Sequence, residues 1–360
     1  MEQALHTQVT MPETPRPIFI IGAGGIVRDA HLPAYQKAGL PVKGIFDIQK
    51  GKAVALAEQY GIPHVYGSLQ ELITDSNQHV VYDLAVPASE IAGVLEYLPS
   101  NSAALIQKPL GEDWDEAQKI AHICDEKQMT AGVNFQLRYA PHILAARNLI
   151  REGALGEIHD IEIRLNVYTP WHLWEFLYDL PRVEILYHSI HYLDLVRSFL
   201  GNPKGIYAKT VKHPKMENLA STKSTMILDY GDRTRAVIST NHGHEFGSDH
   251  QESFVKIEGT KGAVTITLGV NMNYPEGAED TFEYCLLDEG TDPNWQRVDI
   301  EGSWFPDAFA GSMGSFQCHL LETSNEFTSL VPDAVQTMAL VEAAHVSSER
   351  GGTKPHYLNS

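Results

Sequence analysis

A glycine-containing turn near the start of the chain has the composition of a phosphate-binding loop. Gly22, Gly24 and Gly25 follow an apolar run, and the turn continues through Ile26 and Val27 into a segment with helical periodicity. Glycines let a backbone approach a pyrophosphate closely, and the free N–H groups of a helix N-terminus attract its negative charge. Val27 replaces the third glycine of the dinucleotide pattern. By itself, the turn therefore fits a dinucleotide site and an ordinary strand-to-helix turn equally well.

Asp47 ends the second apolar run of the chain. A carboxylate at the end of the second strand can accept hydrogen bonds from both ribose hydroxyls of adenosine, and it repels the 2′-phosphate of NADP. Together with the glycine turn, Asp47 favours NAD as the cofactor. Lys50 and Lys52 lie nearby and keep NADP as the alternative.

Lys108 stands between Gln107 and Pro109, directly after the apolar run 104–106. Open α/β sheets bind ligands at the carboxyl ends of their strands, and the proline ends the strand at this point. An ammonium group there could hydrogen-bond an alcohol oxygen and stabilise its developing charge. The alternative is an ordinary surface lysine at the start of a helix.

Two histidines share a predicted helix in the second half of the chain. His188 and His191 lie beside an apolar stripe with helical spacing, and Tyr187 precedes His191 by one turn. Imidazole titrates near neutral pH, so either histidine could be a general base; both could instead be buried structural residues. Zinc shared with His244 is a third reading. No cysteine or carboxylate cluster completes a ligand set, and we predict no metal.

Aromatic, imidazole and amide side chains follow several predicted strands and could bind a polyhydroxylated ring. Aromatic faces would give flat apolar contact, and the polar groups would give hydrogen bonds. A simple packing cluster is the alternative. Besides His188 and His191, the candidates for substrate binding are Asn134, Arg138, Tyr168, Trp171, His172, His242, His244 and Trp304.

Short apolar runs and amphipathic stretches alternate over residues 17–140. The runs show little alternation, which is typical of strands buried on both faces, and two predicted helices stop at Gly39 and Gly61. This pattern predicts an α/β Rossmann domain with a doubly wound parallel sheet. We expect residues 1–16, which are polar and punctuated by prolines, to form a loose N-terminal tail.

The pattern changes over residues 141–360. Residues 161–167 and 264–268 alternate apolar and polar side chains, as strands with one face on a core do. A predicted helix over 183–200 precedes most of these strands, and a final helix is predicted over 332–350. The second half therefore predicts an α+β domain with a large open, mainly antiparallel sheet.

Composition excludes several classes of function. Among 360 residues, 27 Lys and Arg against 46 Asp and Glu give a net charge of −19, and the basic residues form no cluster. Phosphate backbones and anionic membranes repel such a chain, so we expect neither as partner. Three widely spaced cysteines suit a reducing compartment, and no window approaches the ~18 apolar residues of a membrane span. We expect a cytoplasmic protein.

In this order, these features resemble the Gfo/Idh/MocA oxidoreductases, the family of glucose–fructose oxidoreductase and inositol dehydrogenase. The resemblance implies a Rossmann domain, a domain with a large open sheet, an active site in the cleft between them, and assembly as a homodimer or homotetramer. It runs from Ile18 to about Gly352 and is strongest over 22–35 with Asp47, Val86-Pro87, 107–110, 133–141, 191–201 and 258–268.

The resemblance also implies roles for individual residues. Val86, Pro87 and Gln107 would join the glycine turn and Asp47 in binding NAD. Lys108 would reach substrate and nicotinamide, and His191 would be the acid/base group.

Three departures from the family pattern concern the proton path. Gln107 replaces a glutamate, Tyr187 replaces the aspartate that the family often places one turn before the histidine, and the family's histidine soon after the Pro87-type turn is missing. His191 could then act with help from Tyr187, His188 or Lys108.

These implications predict an NAD-dependent dehydrogenase that oxidises a secondary alcohol of a sugar, a glycoside or a cyclitol. A non-catalytic NAD-binding sensor is the alternative; Gln107 and Tyr187 favour it, whereas Lys108 and His191 oppose it. A metal-assisted enzyme that uses His188, His191 and His244 is the third reading.

Overall fold

The computed structural model describes residues 5–76, 79–274, 276–287, 290–324 and 327–353. Within these residues, six strands form the first sheet: β1 (Ile18–Ile21), β2 (Val42–Phe46), β3 (His64–Val65), β4 (Val81–Leu84), β5 (Ala103–Gln107) and β6 (Thr130–Asn134). All neighbouring strands are parallel, in the order β3-β2-β1-β4-β5-β6. This order confirms the predicted doubly wound Rossmann sheet.

Helices cover both faces of this sheet because its strands are apolar on both sides. The first helix begins with a π-helical turn, Val27–His31, and both glycine stops are confirmed, with φ of 66° at Gly39 and 68° at Gly61. The helices of this half are α1 (Leu32–Lys37), α2 (Lys50–Tyr60), α3 (Leu69–Asp75), α4 (Ile91–Tyr97) and α5 (Trp114–Glu126).

The second sheet is open and almost entirely antiparallel, as predicted. Its strands are β7 (Ile158–Asn166), β8 (Gly205–Val211), β9 (Lys223–Asp229), β10 (Arg235–Asn241), β11 (Glu252–Gly259), β12 (Gly262–Thr267), β13 (Thr281–Leu286) and β14 (Gln296–Arg297). They follow the order β14-β13-β12-β11-β7-β10-β9-β8, in which β7 and β10 are parallel.

One face of the second sheet packs against α6 (Pro141–Arg151), α7 (Ile190–Leu200) and α9 (Val331–Arg350). Alternation along β7 buries Ile161, Ile163 and Leu165 on this face. The opposite face carries exposed apolar side chains, among them Tyr207 and Ile227. A sheet with one covered and one open face is the usual arrangement for antiparallel strands.

The structure adds a helix that the sequence pattern did not predict. Helix α8 (Asp307–Leu320) precedes the predicted final helix, in a region where no helix was predicted. Its Phe309, Met313 and Phe316 are fully buried in the core of the first sheet. The core of the Rossmann half therefore includes a helix from well beyond the predicted boundary at residue 140.

The expectation of a loose N-terminal tail is wrong for the described residues 5–16. The Arg16 backbone N–H donates to Oε1 of the buried Gln317 at 2.6 Å, and the Arg16 guanidinium donates to the Leu320 carbonyl at 2.9 Å. Val9 packs against the core of the first sheet. Polar composition did not reveal this docking, because backbone hydrogen bonds to a distant helix leave no trace in a local pattern.

Two further findings concern helix length and the cysteines. No helix in the described ranges is long and apolar enough to cross a membrane. Cys124, Cys285 and Cys318 are buried, free thiols.

Candidate active site

The glycine turn after β1 makes two different demands on its residues. Gly22 has φ of 109°, and a Cβ atom there would lie 2.2 Å from the Ala85 carbonyl oxygen, so only glycine lets the turn pack against the end of β4. At Gly24 a Cβ would meet no atom of the described chain within 4 Å, so the backbone borders open space. A ligand can approach the backbone at Gly24.

These demands predict opposite phenotypes for two matched variants. Gly22→Ala should destabilise the protein by about 1–3 kcal/mol because it combines a strained φ with a backbone clash. Gly24→Ala should leave thermal unfolding nearly unchanged but weaken NAD binding, because its methyl group fills the space beside the backbone. Thermal unfolding and calorimetric NAD titration of both variants test this. Wild-type NAD affinity in Gly24→Ala would place the pyrophosphate elsewhere.

Asp47 follows β2 beside this turn. Its Oδ2 accepts the Ala23 N–H and its Oδ1 accepts the Gln49 N–H, both at 2.7 Å. Each carboxylate oxygen keeps a second lone pair, so Asp47 can hold the turn and still accept ribose hydroxyls.

The other predicted cofactor residues differ in whether their backbone and side chains are accessible to a ligand. Val27 donates its N–H to the Gly24 carbonyl and buries its side chain in the core, so its predicted cofactor contact is not supported. Ile26 is half-buried and Gly25 is exposed. Val86 and Pro87 follow β4, whose end meets Gly22.

Buried amides stand at the carboxyl ends of β5 and β6. Gln107 pairs with Asn134 across the two strands. The Asn134 side chain is 1% exposed, and neither its oxygen nor its nitrogen has a hydrogen-bond partner among the described residues. A buried amide without partners is costly, so this position suits a ligand that supplies a donor and an acceptor. The open space at Gly24, the Asp47 carboxylate and the Asn134 amide thus fit a nicotinamide dinucleotide.

Lys108 connects the first sheet to the helix of the second half. Its half-buried side chain donates from Nζ to the Tyr187 carbonyl at 2.7 Å. Burial lowers the pKa of this ammonium to about 8. The group is therefore charged at neutral pH and close to its titration range.

His191 lies on the first turn of α7 with its ring in a tight environment. The imidazole packs edge-on against Trp304, with ring centroids 5.2 Å apart, and its buried Nδ1 has no hydrogen-bond partner within the described chain. Burial, followed by the nearby charge of Lys108, lowers the pKa of His191 well below its ordinary value. The ring is therefore neutral at pH 7, which is the form that accepts a proton.

His188 belongs to the π-helical segment Glu184–Ser189 that precedes α7. Its ring contacts His242 at 4.6 Å and Trp171 at 4.9 Å between centroids. Burial first, and then the charges of His242, Lys108 and His191, lower its pKa well below the ordinary value. The structure thus brings His188 and His242, which lie far apart in the sequence, into contact.

Glu184 and Thr169 are site residues that sequence reasoning missed. Glu184 is fully buried; its Oε1 lies 3.3 Å from His242 Nε2 and accepts the Ser189 hydroxyl at 2.6 Å. The other nitrogen of His242, Nδ1, lies 2.8 Å from the Thr169 hydroxyl. The one available signal was that Glu184 falls within the same predicted helix as His191.

The surroundings of the Tyr187 phenol lend no support to its predicted catalytic role, which stays a prediction. Burial first, and then the charges of Glu112 and Glu116, raise the pKa of its phenol above the ordinary value, so the phenol stays protonated at neutral pH. Its ring packs against Phe176, and its contribution to the site is the backbone carbonyl that accepts Lys108.

Arg138 and His244 do not support their predicted substrate roles. Arg138 is 3% exposed and donates two hydrogen bonds to Asp194, both at 2.6 Å, and one to Asp333 at 2.7 Å. Its guanidinium is occupied by this buried ion-pair network. His244 Nδ1 lies 3.1 Å from the Asn166 amide nitrogen and its ring packs against the exposed Phe246, whereas the His242 ring is buried against His188.

The remaining substrate candidates divide into buried and rim positions. Trp171 is buried in a small core with Leu177, Val183 and Leu219, and Trp304 is buried beside His191. Tyr168 and His172 are exposed and, with Trp171, line an open cavity of about 460 Å³. No group of three or more His, Cys, Asp or Glu side chains in the described ranges could hold a metal ion.

A parallel sheet with a glycine turn and a carboxylate at the end of its second strand is the cofactor half of a dinucleotide-dependent oxidoreductase. Two family models match this chain. "Oxidoreductase family, NAD-binding Rossmann fold" matches residues 17–135, and "GFO/IDH/MocA C-terminal domain" matches residues 143–265. The chain belongs to the Gfo/Idh/MocA family of NAD-binding oxidoreductases.

Individual relatives have low sequence identity to this chain but match most of its length. An uncharacterized protein of Saccharomyces cerevisiae is 28% identical, with 71% of this chain and 75% of that protein covered. A D-apiose dehydrogenase of Rhizobium rhizogenes is 22% identical, with 88% and 90% covered. An Agrobacterium radiobacter oxidoreductase, solved with NAD⁺, L-tartaric acid and magnesium, shares the fold with a TM-score of 0.77 at 21% identity, with 94% and 98% covered.

Proposed function

We propose that this protein is an NAD-dependent dehydrogenase that transfers hydride between nicotinamide and a secondary alcohol of a sugar, a glycoside or a cyclitol. The observation that carries the proposal is the convergence of Lys108, from the end of β5, with His188 and His191. Lys108 contacts the helix that bears both imidazoles, and its charge acts on both. The similarity to a D-apiose dehydrogenase supports a carbohydrate substrate.

Each group has a distinct task in this proposal. The turn at Gly22–Gly24 and Asp47 would bind the dinucleotide, which when bound accepts or returns the hydride. Lys108 donates a hydrogen bond to the alcohol oxygen and stabilises its developing negative charge. Neutral His191 accepts the hydroxyl proton. Trp171 and Trp304 wall the site and exclude water.

The direct test is NAD reduction, followed by absorbance, with a panel of aldoses, glycosides and inositols. Turnover with at least one class and none with primary alcohols is the expected result. Tight NAD binding without turnover across the panel would overturn the dehydrogenase and favour the sensor. Metal analysis of untagged protein accompanies the assay, and activity that follows metal content would favour the metal-assisted reading.

Asp47 should decide the choice between NAD and NADP. Asp47→Ser removes charge-assisted hydrogen bonds, and kcat/KM with NAD should fall about 10- to 100-fold while the NADP/NAD ratio of kcat/KM rises. Asp47→Asn is the comparison variant: it removes the charge that repels the 2′-phosphate and keeps one acceptor oxygen, while its NH2 group replaces the other of the two oxygens that accept the Ala23 and Gln49 N–H groups. An unchanged ratio in both variants would remove Asp47 from the ribose site.

The open face of the second sheet supports assembly into a homodimer or homotetramer. Tyr207 is 66% exposed there, and Val211 and Ile227 are exposed beside it. Large apolar side chains grouped on one face usually mark an interaction surface. Sedimentation equilibrium, with Tyr207→Glu as the disrupting variant, tests this; a monomeric wild type would contradict it.

A further inference from the structure

The proposed reaction poses a charge problem in this site. The C–H and O–H bonds of the substrate break and its C=O bond forms: the hydrogen leaves carbon with the electron pair as hydride, which bound NAD⁺ would accept, and the hydroxyl proton passes to His191. That imidazole becomes a cation beside the ammonium of Lys108. Two buried cations repel each other strongly, so a nearby negative charge is needed.

Glu184 is placed to supply that charge. Its fully buried carboxylate contacts His242 Nε2, and the His242 ring contacts the His188 ring. The π-helical segment brings Ser189 onto the same carboxylate oxygen. Glu184, His242 and His188 form a continuous series that ends beside Lys108.

We propose that Glu184 is a positioning residue of this site: through His242 it fixes the ring of His188, and its charge offsets the imidazolium that forms next to Lys108. The proposal rests on the proposed dehydrogenase function. It gives Glu184 the role of the negative charge that the family's aspartate would supply at the position of Tyr187.

Other contacts of the series agree with this role. Burial tends to raise the pKa of the Glu184 carboxyl, but its hydrogen bond and charge interaction with His242, and the Ser189 hydroxyl, outweigh burial and lower that pKa. Glu184 is therefore ionised at neutral pH. Thr169 holds the far nitrogen of His242, which fixes the orientation of that ring.

Several other titratable groups surround the series. The charge of Glu184 acts to raise the pKa of Tyr192 on α7 and of His345 on α9. Burial, then the charges of Arg182 and Glu342, set the pKa of His345 to about 4, so it stays neutral above that pH. The charges of Lys108 and His191 also act on His188.

Glu184→Gln tests the proposal, because it keeps the size and an acceptor for Ser189 while removing the charge. We expect kcat to fall at least tenfold with KM changed by less than about threefold. Loss of the anion lowers imidazole pKa values, so the acid limb of kcat/KM should move to lower pH. Glu342→Gln is the matched control: this glutamate pairs with Arg182 at 2.6 Å, and the profile should stay unchanged.

A double-mutant cycle with His242→Gln separates a shared role from two independent ones. The combined variant should lose little more activity than either single variant, since both remove the same series. Additive losses, or wild-type kcat with an unchanged acid limb in Glu184→Gln, would overturn the proposal. If Glu184→Gln fails to fold, Thr169→Val is the second variant, because it removes the hydroxyl that holds His242 Nδ1. It should still shift the acid limb of kcat/KM, and an unshifted limb would count against the proposal.

Side-chain NMR of the histidines gives a readout without turnover. In the full chain with NAD, the ring-nitrogen resonance of His242 Nε2 should shift in Glu184→Gln relative to the wild type, because the anionic oxygen 3.3 Å away is lost. An unshifted resonance would overturn the charge role of Glu184. A wild type that oxidises no alcohol, yet shows this shift, would refute the dehydrogenase function while leaving the Glu184–His242 coupling established.

Discussion

Replacing His191 with asparagine should lower kcat of alcohol oxidation about 10²- to 10⁴-fold, the usual cost of losing an acid/base group. Because burial and Lys108 hold the pKa of His191 well below its ordinary value, wild-type kcat/KM should stay level as the pH falls through 6.5. It should decline only in more acidic solution, when the imidazole becomes protonated. Steady-state kinetics from pH 5 to 9 measure both effects.

The control for His191 is His122→Asn, an exposed histidine on α5 that pairs with Glu126 at 3.2 Å. Its kinetics should match the wild type. NAD affinity should be the same in both variants, since His191 serves the alcohol and not the dinucleotide. Turnover of His191→Asn within tenfold of the wild type would contradict the assignment and direct attention to His188 as the base.

Replacing Lys108 with methionine should lower kcat/KM about 10²- to 10³-fold, the typical loss for one donor to a developing oxyanion. Methionine keeps the length and packing of the side chain but has no proton to donate. Burial sets the pKa of Lys108 to about 8. The wild type should therefore lose activity as the pH rises through that value and the ammonium becomes an amine.

Lys108→Arg separates charge from position. Arginine stays charged throughout this range, so whatever activity remains should lack the alkaline decline. Lys119→Met, an exposed lysine on α5 near Glu96, is the neutral control. An alkaline decline that persists in Lys108→Arg would assign that limb to another group.

Much of the first half could be predicted from local patterns. Apolar runs without alternation predicted parallel strands buried on both faces, and glycines with positive φ ended α1 and α2 near the expected positions. Lys108 could be placed because the carboxyl ends of parallel strands share one edge of a sheet. Helix α8 was missed although Phe309, Met313 and Phe316 have helical spacing, because its glycines and serines are typical of loops.

The parts of the site that could not be predicted depend on contacts between distant residues. Arg138 has the right type and neighbourhood for a substrate group, but its partners, Asp194 and Asp333, come from later helices. Glu184 meets His242 only because the residue that follows β10 lies beside a π-helical turn. Neither a local period nor a short motif encodes such pairs, so charged residues could be identified but not paired.

Helix α8 also affects how the chain matures. A ribosome releases all six strands of the first sheet long before it makes Phe309, Met313 and Phe316, which complete the core of that sheet. A nascent polypeptide interrupted at that stage displays an open apolar surface, the kind that chaperones bind and proteases remove. The dinucleotide-binding half is therefore finished late in synthesis, and a fragment ending at residue 140 should aggregate instead of folding as an autonomous module.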